Sequence, residues 1–309
     1  MNLMNAVVNG FSSLSRSLPK HRKLNQLYKH FNWVFLTLGA KPIVNAKMED
    51  DTTIKVDLST RTERMAFYTG AYDSDLLEVI KQLLNTDGVF LDVGANIGFY
   101  SVAISNVFRV KNAKGKTLAF EPFEGNFKRL THNIEANNLS DYCILNNFGL
   151  SDTSTTTEIT LREDFKHGSN TGNASIPTSE SMDAGFKTSS IQLKTLDEVW
   201  NTNFSDLENI DLIKMDIEGH EDFCFKGGVN SIAAHRPTIM MEVNKPYYEA
   251  RGVDLDEIFL PLIPENYTIY REVNKTWTPI TSLKDCGTVD NVFMVPHEKL
   301  NSEAYRIFS

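Results

Sequence analysis

The sequence has no run of about 18 apolar residues, so no membrane-spanning helix is expected. Its N-terminus lacks a charged stretch followed by an apolar core, which argues against a secretory signal. Cysteine is scarce. Cys143, Cys224 and Cys286 lie far apart, are odd in number and form no CxxC pair, so neither a zinc site nor a disulfide framework is indicated. They read as reduced thiols of a cytoplasmic protein. Excess positive charge is also missing: the formal net charge of −9 argues against general nucleic-acid binding. The exception is local. The first 48 residues hold seven Lys/Arg and no Asp/Glu, so the other 24 basic and 40 acidic residues leave the rest at −16.

What is present is an ordinary globular chain of 309 residues with 41% hydrophobic content, enough for one large α/β domain plus an extension. Leu3, Val7, Phe11, Leu14 and Leu18 recur at helical spacing until Pro19, and a second apolar stretch runs from Leu24 through Leu27, Phe31, Val34 and Leu38. Two readings fit: a helical arm packed on the domain or on a second copy as a homodimer, or a membrane-surface helix favoured by Arg16, Lys20, Arg22, Lys23 and Lys29. From residue 88 onward strand-like and helix-like segments alternate, the pattern of a parallel sheet wrapped by helices. Seven strands are expected, at 89–93, 117–121, 143–148, 210–216, 237–243, 267–272 and 289–295, the last antiparallel. The organisation expected is a basic helical extension over 1–50 and a body over 51–309. Within the body lie a cofactor half (88–152), a loop or hairpin insertion over the site (153–190) and a catalytic and acceptor half (191–309).

The chemistry starts at Phe90-Leu91-Asp92-Val93-Gly94-Ala95-Asn96-Ile97-Gly98, an apolar strand ending in a glycine-punctuated turn that opens a helix at Phe99, Tyr100 and Ser101. The glycines allow backbone angles closed to other residues, and their missing side chains let a ligand approach the main chain. The spacing is G-x-x-x-G, not the G-x-G-x-x-G of a dinucleotide pyrophosphate site. Asp92 would repel a pyrophosphate but suit a cationic ammonium. The next strand ends at Glu121-Pro122, where a carboxylate can accept from two ribose hydroxyls. The third leads into Asn146–Asp152; Phe148 or Leu150 is placed to face an adenine ring and Asp152 to accept from its amine.

These motifs in this order resemble the FkbM family of methyltransferases. The matching pieces are YTGAYD (68–73), VFLDVGANIGFYSV (89–102), FEPFEGNFKRLTHNIEANNL (120–139), NNFGLSD (146–152), LKTLDEV (193–199), IDLIKMDIEGHE (210–221) and MEVN (241–244). The resemblance implies a Rossmann-like class I methyltransferase fold. It implies S-adenosylmethionine as cofactor, contacted at Asp92, Gly94, Ala95, Asn96, Gly98, Glu121 and Asn126. It also implies methyl transfer to a hydroxyl of a sugar, glycan or related polar metabolite.

Removing a hydroxyl proton needs a base, worth about 10²- to 10⁴-fold in rate. The candidates are Asp216 at the end of the fourth strand, His220, Glu242 on the fifth strand and, more remotely, His132. Asp216 also falls close to the sulfonium methyl. His220 lies one turn beyond Asp216 if a helix starts there, and Glu218 would then favour that helix's N-terminal dipole. Asp216, Glu242 and Asn244 also supply oxygen ligands suited to magnesium, although the family resemblance does not imply a metal. Asn170, Asn173 and Ser175 in the polar insertion suit a hydroxylated acceptor. Two other functions compete: an NAD-dependent oxidoreductase, disfavoured by the glycine spacing and the lack of a Tyr-x-x-x-Lys pair, and a non-catalytic scaffold, disfavoured by the intact glycines and Glu121.

Overall fold

The computed structural model describes residues 3–17, 22–161, 174–175 and 187–308. The chain opens with two helices, α1 (Leu3–Ser15) and α2 (Arg22–Thr37), then an antiparallel hairpin of β1 (Ile43–Lys47) and β2 (Thr53–Asp57). This hairpin straddles residue 50. Helices α3 (Arg61–Thr69) and α4 (Ser74–Leu83) lead into the main sheet.

That sheet contains β3 (Val89–Val93), β4 (Lys116–Phe120), β5 (Cys143–Asn146), β10 (Ile210–Met215), β11 (Thr238–Asn244), β12 (Tyr267–Val273), β13 (Thr276–Ile280) and β14 (Val289–Pro296), in the spatial order β13-β12-β14-β11-β10-β3-β4-β5. It has eight strands rather than seven. All seven expected strands are there, and β14 runs antiparallel to β11 and β12 as expected for the last strand. The extra strand is β13, which pairs antiparallel with β12. The connecting residues Asn274 and Lys275 both take positive φ, 51° and 66°. That is the turn geometry whose twist matches a tight hairpin. The Asn-Lys pair lacks the glycine that usually signals it, and Pro279 reads as a strand breaker; at a sheet edge its missing N–H costs nothing.

Alternation along β3 assigns the faces. Val89, Leu91 and Val93 join one apolar core with α7 (Leu196–Val199), α8 (Glu221–Gly227), α9 (Val229–His235), α10 (Lys245–Ala250) and α11 (Leu255–Phe259). Phe90 joins the opposite core with α4, α5 (Phe99–Val110) and the C-terminal Tyr305 and Phe308. A third core holds α1 to α3, β1 and β2 against α5 and α6 (Glu124–Ala136). In this third core only part of the apolar period of α1 is used: Phe11 packs on Phe31, Phe35 and Tyr68. Val8, Ser12 and Ser15 are buried while Leu3, Val7 and Leu14 face solvent. Small hydroxyls complete the contact: Ser12 and Ser15 donate to the carbonyls of Phe67 and Tyr68 at 2.7 Å each.

The insertion between β5 and β10 forms a second sheet, from β6 (Gly149–Leu150), β7 (Thr155–Leu161), β8 (Ala174–Ser175) and β9 (Lys187–Lys194) in the order β6-β9-β7-β8. The expected hairpin is the antiparallel β7–β9 pair. Asn170 and Asn173 lie outside the described residues, and Ser175 belongs to β8. Cys143, Cys224 and Cys286 are buried and free. No helix among the described residues is long and apolar enough to cross a membrane.

Candidate active site

The chain runs outward from β3 through β4 to β5 and then returns to place β10 on the other side of β3. Ligands bind outside the carboxyl ends of the strands at such a reversal. Register makes the site legible. Phe120, Val93, Met215 and Met241 are aligned across β4, β3, β10 and β11, so the next residues, Glu121, Gly94, Asp216 and Glu242, stand in one row at the strand ends. All four line a cavity of about 620 Å³, within the size range of small-molecule sites.

At one end the glycine turn closes the cavity floor. Gly94 and Ala95 both donate to the Phe120 carbonyl, at 3.1 and 2.9 Å. Gly94 takes φ 79°, and a Cβ there would lie 2.1 Å from the Asp216 carbonyl oxygen. Its glycine is therefore demanded by the neighbouring strand end as well as by any ligand. Gly98 (φ 97°) lies outside the cavity lining; a Cβ there would meet Leu130 of α6 at 2.6 Å. Gly94→Ala combines a left-handed backbone with overlap against main chain. It is expected to destabilise the fold by about 3 kcal/mol or prevent folding, read by urea unfolding.

Glu121 is buried, and its two oxygens accept from the main-chain N–H of Asn96 (2.9 Å) and of Phe123 (3.0 Å). Burial pushes its carboxyl up to about 7, against the pull of those hydrogen bonds. Asn96 holds φ 52°, so the turn aims its N–H at Glu121. Ala95, Asn96, Phe99, Tyr100, Pro122 and Asn126 line the cavity as read from the sequence. Leu150 joins them, with Ile159, Ile191 and Leu193 from the hairpin as an apolar wall.

Besides Gly98, four residues expected to touch the cofactor lie outside the cavity lining. Asp92 is buried beneath the site: its Oδ2 accepts from Ser101 Oγ at 2.5 Å and its Oδ1 lies 3.4 Å from Lys214 Nζ. In register Lys214 is the direct neighbour of Asp92, so this carboxylate is neutralised within the protein and does not face a ligand ammonium. Ser101 is occupied by the same pair. Phe148 does not line the cavity; it packs edge-on against Phe120 under Lys194. Asp152 is also outside the lining and accepts from Ser151 and Thr153.

The catalytic end gathers Asp73, Asp216, Glu218 and Glu242 around Lys214. Lys214 is buried and donates to the Gly94 carbonyl at 2.9 Å, with Asp216 3.7 Å away. Burial opposes its charge, but Asp92 and Asp216 more than offset this and hold the ammonium above its ordinary range. Glu242 is pushed up to about 8, first by burial and then by Asp216. Asp73 is raised by burial and Asp216; its Oδ2 accepts from the Tyr100 hydroxyl at 3.3 Å. Tyr72 stacks on Phe99 with ring centroids 4.2 Å apart.

No helix begins directly after Asp216. Glu218 sits at φ 56° in a tight turn, and α8 starts at Glu221. Glu221 organises that turn, accepting from the N–H of Ile217 (2.9 Å) and Gly219 (3.3 Å) while Tyr248 donates to its other oxygen. Glu218 therefore does not cap a helix dipole. Its carboxyl lines the cavity, raised by burial and by Asp216 and Glu242. His220 lines the cavity too, but its Nε2 bonds Ser151 Oγ at 2.9 Å and its ring stacks on Phe223. Burial lowers it to about 4, so it is neutral and is not coupled to Asp216 through a helical turn. His132 is an exposed residue of α6, away from the cavity. Asn244 lines the cavity; among the described residues no group of three His, Cys, Asp or Glu side chains is arranged to hold a metal ion.

A hairpin over the site was expected, but its wall residues Ile159, Ile191 and Leu193 were not singled out from the sequence, and neither were the site positions of Lys214, Asp73 and Tyr72. Tyr72 and Asp73 lie in YTGAYD and Lys214 in IKMDIEG, so the motifs contained them without revealing their partners.

The strand order and the glycine turn beneath a row of strand-end carboxylates define a Rossmann-like class I methyltransferase. The chain matches the methyltransferase FkbM domain over residues 92–270, more than half its length, and it belongs to that family. No curated protein matches it at a significant level. Among solved structures it is similar to the methyltransferase FkbM of Methylobacillus flagellatus KT, at 16% identity and TM-score 0.41, covering 78% of this chain. The chain spans 56% of that protein's structure. A putative O-methyltransferase from Klebsiella pneumoniae is similar at 10% identity and TM-score 0.41, with 73% of this chain and 81% of that one covered. TYW2 of P. horikoshii in complex with MeSAdo is similar at 13% identity and TM-score 0.40, with 94% and 97% covered.

Proposed function

We propose that the protein methylates a hydroxyl of a neutral, polar acceptor such as a sugar or glycan, using S-adenosylmethionine. The observation that carries this reading is the row Glu121–Gly94–Asp216–Glu242, which sets a ribose acceptor and a candidate base in one cavity. The residues fit the cofactor. Glu121 is a buried carboxylate that pairs with no cation among the described residues, so ribose hydroxyl donors would relieve its burial. Pro122, Leu150, Ile159, Ile191 and Leu193 offer an apolar slot for a base ring, and the Gly94 main chain with Asp73 and Asp216 suits a cationic amino-acid end. Bound there, the cofactor supplies an electrophilic methyl group.

Glu242 accepts the proton that the acceptor hydroxyl loses. Its raised carboxyl is a stronger base than an ordinary glutamate, which matches a proton acceptor near neutral pH. Asp216, beside Lys214, holds the acceptor hydroxyl and keeps Glu242 raised. His220 positions the turn through Ser151 rather than transferring the proton. The carboxylates at this end disfavour phosphorylated acceptors.

Titration calorimetry with S-adenosylhomocysteine is expected to show one site; absence of binding overturns the reading. Turnover on a panel of sugars and glycans, followed by product mass, is expected to show a gain of one methyl. A chelator is expected to leave that turnover unchanged, because Lys214 already places positive charge beside Asp216. Activity that depends on added magnesium would instead assign Asp216, Glu242 and Asn244 to a metal.

A further inference from the structure

We propose that the N-terminal helical pair docks this protein on an anionic membrane surface through the outward apolar stripe of α1 and the exposed tryptophan and leucine of α2. The inference is independent of the acceptor and of methyl transfer.

Successive helical residues are rotated by about 100°, so Leu3, Val7 and Leu14 fall within about 40° of one another on α1. They are 80%, 46% and 65% exposed. The helix packs through Val8, Phe11 and the hydroxyls of Ser12 and Ser15, so these three side chains stand apart from that contact. On α2 and just beyond it, Trp33 is 64% and Leu38 61% exposed. Phe11 packs on Phe31 and Phe35 with ring centroids 4.8 and 5.6 Å apart, which holds α2 alongside α1. Of the twelve large exposed hydrophobic residues among those described, seven lie in the first 43 positions. Such a concentration marks an interaction surface rather than scattered exposure.

Charge selects the occupant. The segment that carries this surface has seven basic residues and no acidic one over positions 1–48, against a body at −16. A second copy pairing these faces about a two-fold axis would set two such cationic segments against each other. An anionic bilayer meets both demands at once: apolar side chains enter the headgroup boundary, Trp33 suits that boundary, and lysines such as Lys29 and Lys41, both exposed, meet phosphate. Helices of 13 and 16 residues lie along such a surface rather than crossing it.

The test is co-sedimentation of the full chain with phosphatidylcholine vesicles, with and without about 30% phosphatidylglycerol. Binding is expected only to the anionic vesicles, lost on raising salt, and brominated lipid is expected to quench Trp33 because Trp200 is buried and Trp277 packs in the core. Leu3→Glu with Leu14→Glu, at exposed positions, is expected to lower partitioning at least tenfold. Lys29→Glu with Lys41→Glu should lower it about fivefold per charge removed. Unchanged thermal unfolding of these variants shows that the fold is intact. Equal partitioning to neutral and anionic vesicles, or none to either, overturns the proposal. So does a dimer by light scattering that Leu14→Glu dissociates while vesicles capture nothing.

Discussion

Glu242→Gln is expected to lower kcat by about 10²- to 10⁴-fold while leaving S-adenosylhomocysteine affinity nearly unchanged. The substitution keeps size and hydrogen-bonding capacity and removes only the ability to take the proton. Glu242 is raised to about 8 by burial and by Asp216, directly opposite in register. In the native enzyme kcat should therefore climb with pH until the carboxyl is ionised, and this rise should vanish in Glu242→Gln. Asp216→Asn separates the roles. It removes the charge that raises Glu242, so the rise should move to lower pH rather than disappear. A Glu242→Gln enzyme with native kcat would transfer the role of base to Asp216 or Glu218.

The second large effect concerns Glu121. Glu121→Ala is expected to weaken S-adenosylhomocysteine binding by at least about 100-fold, since hydrogen bonds to a charged acceptor contribute about 1.5–3 kcal/mol each. It also removes the acceptor shared by Asn96 and Phe123, which holds the turn against β4. The same carboxyl links stability to pH. Its folded value of about 7 lies above the ordinary 4.5. The folded state therefore keeps a proton that the unfolded chain has released, and stability falls as pH rises through that range. Glu242, raised to about 8, acts in the same direction. Together they should cost about 2–3 kcal/mol of unfolding free energy between pH 6.5 and 8.5 in the unliganded protein, read by urea titration. His220, lowered to about 4, acts in the opposite direction and only below its ordinary 6.5. Glu121→Ala should flatten the fall, and a flat native profile would show that Glu121 is not raised.

Much of the site was legible because it is local. The residues that turn the chain at the end of β3 are adjacent in sequence, and Glu121 follows its strand directly. The errors arose where a local pattern admits two tertiary outcomes. Asp92 reads as a ligand carboxylate until Lys214, 122 positions away, is placed beside it by strand register. Glu218 and His220 follow a strand as a helix start would, but the Glu221 carboxylate accepts from the N–H groups of Ile217 and Gly219 and holds a turn there instead. The apolar period of α1 marks a helix but not which of its members are buried: Phe11 packs in the core while Leu3, Val7 and Leu14 face outward, because serine hydroxyls satisfy carbonyls of α3.

From the sequence alone come seven strands of the main sheet, their order, the glycine turn and the family, all of which depend on contacts within a few residues or on motif order. Tertiary structure alone decided that Glu121, Gly94, Asp216 and Glu242 form one row, that Asp92 and Lys214 neutralise each other beneath it, and that Leu3, Val7 and Leu14 face outward. The physical reason is that side-chain meetings across a parallel sheet depend on register and crossover. Hydrophobic periodicity reports the repeat of an element but not which neighbour it meets.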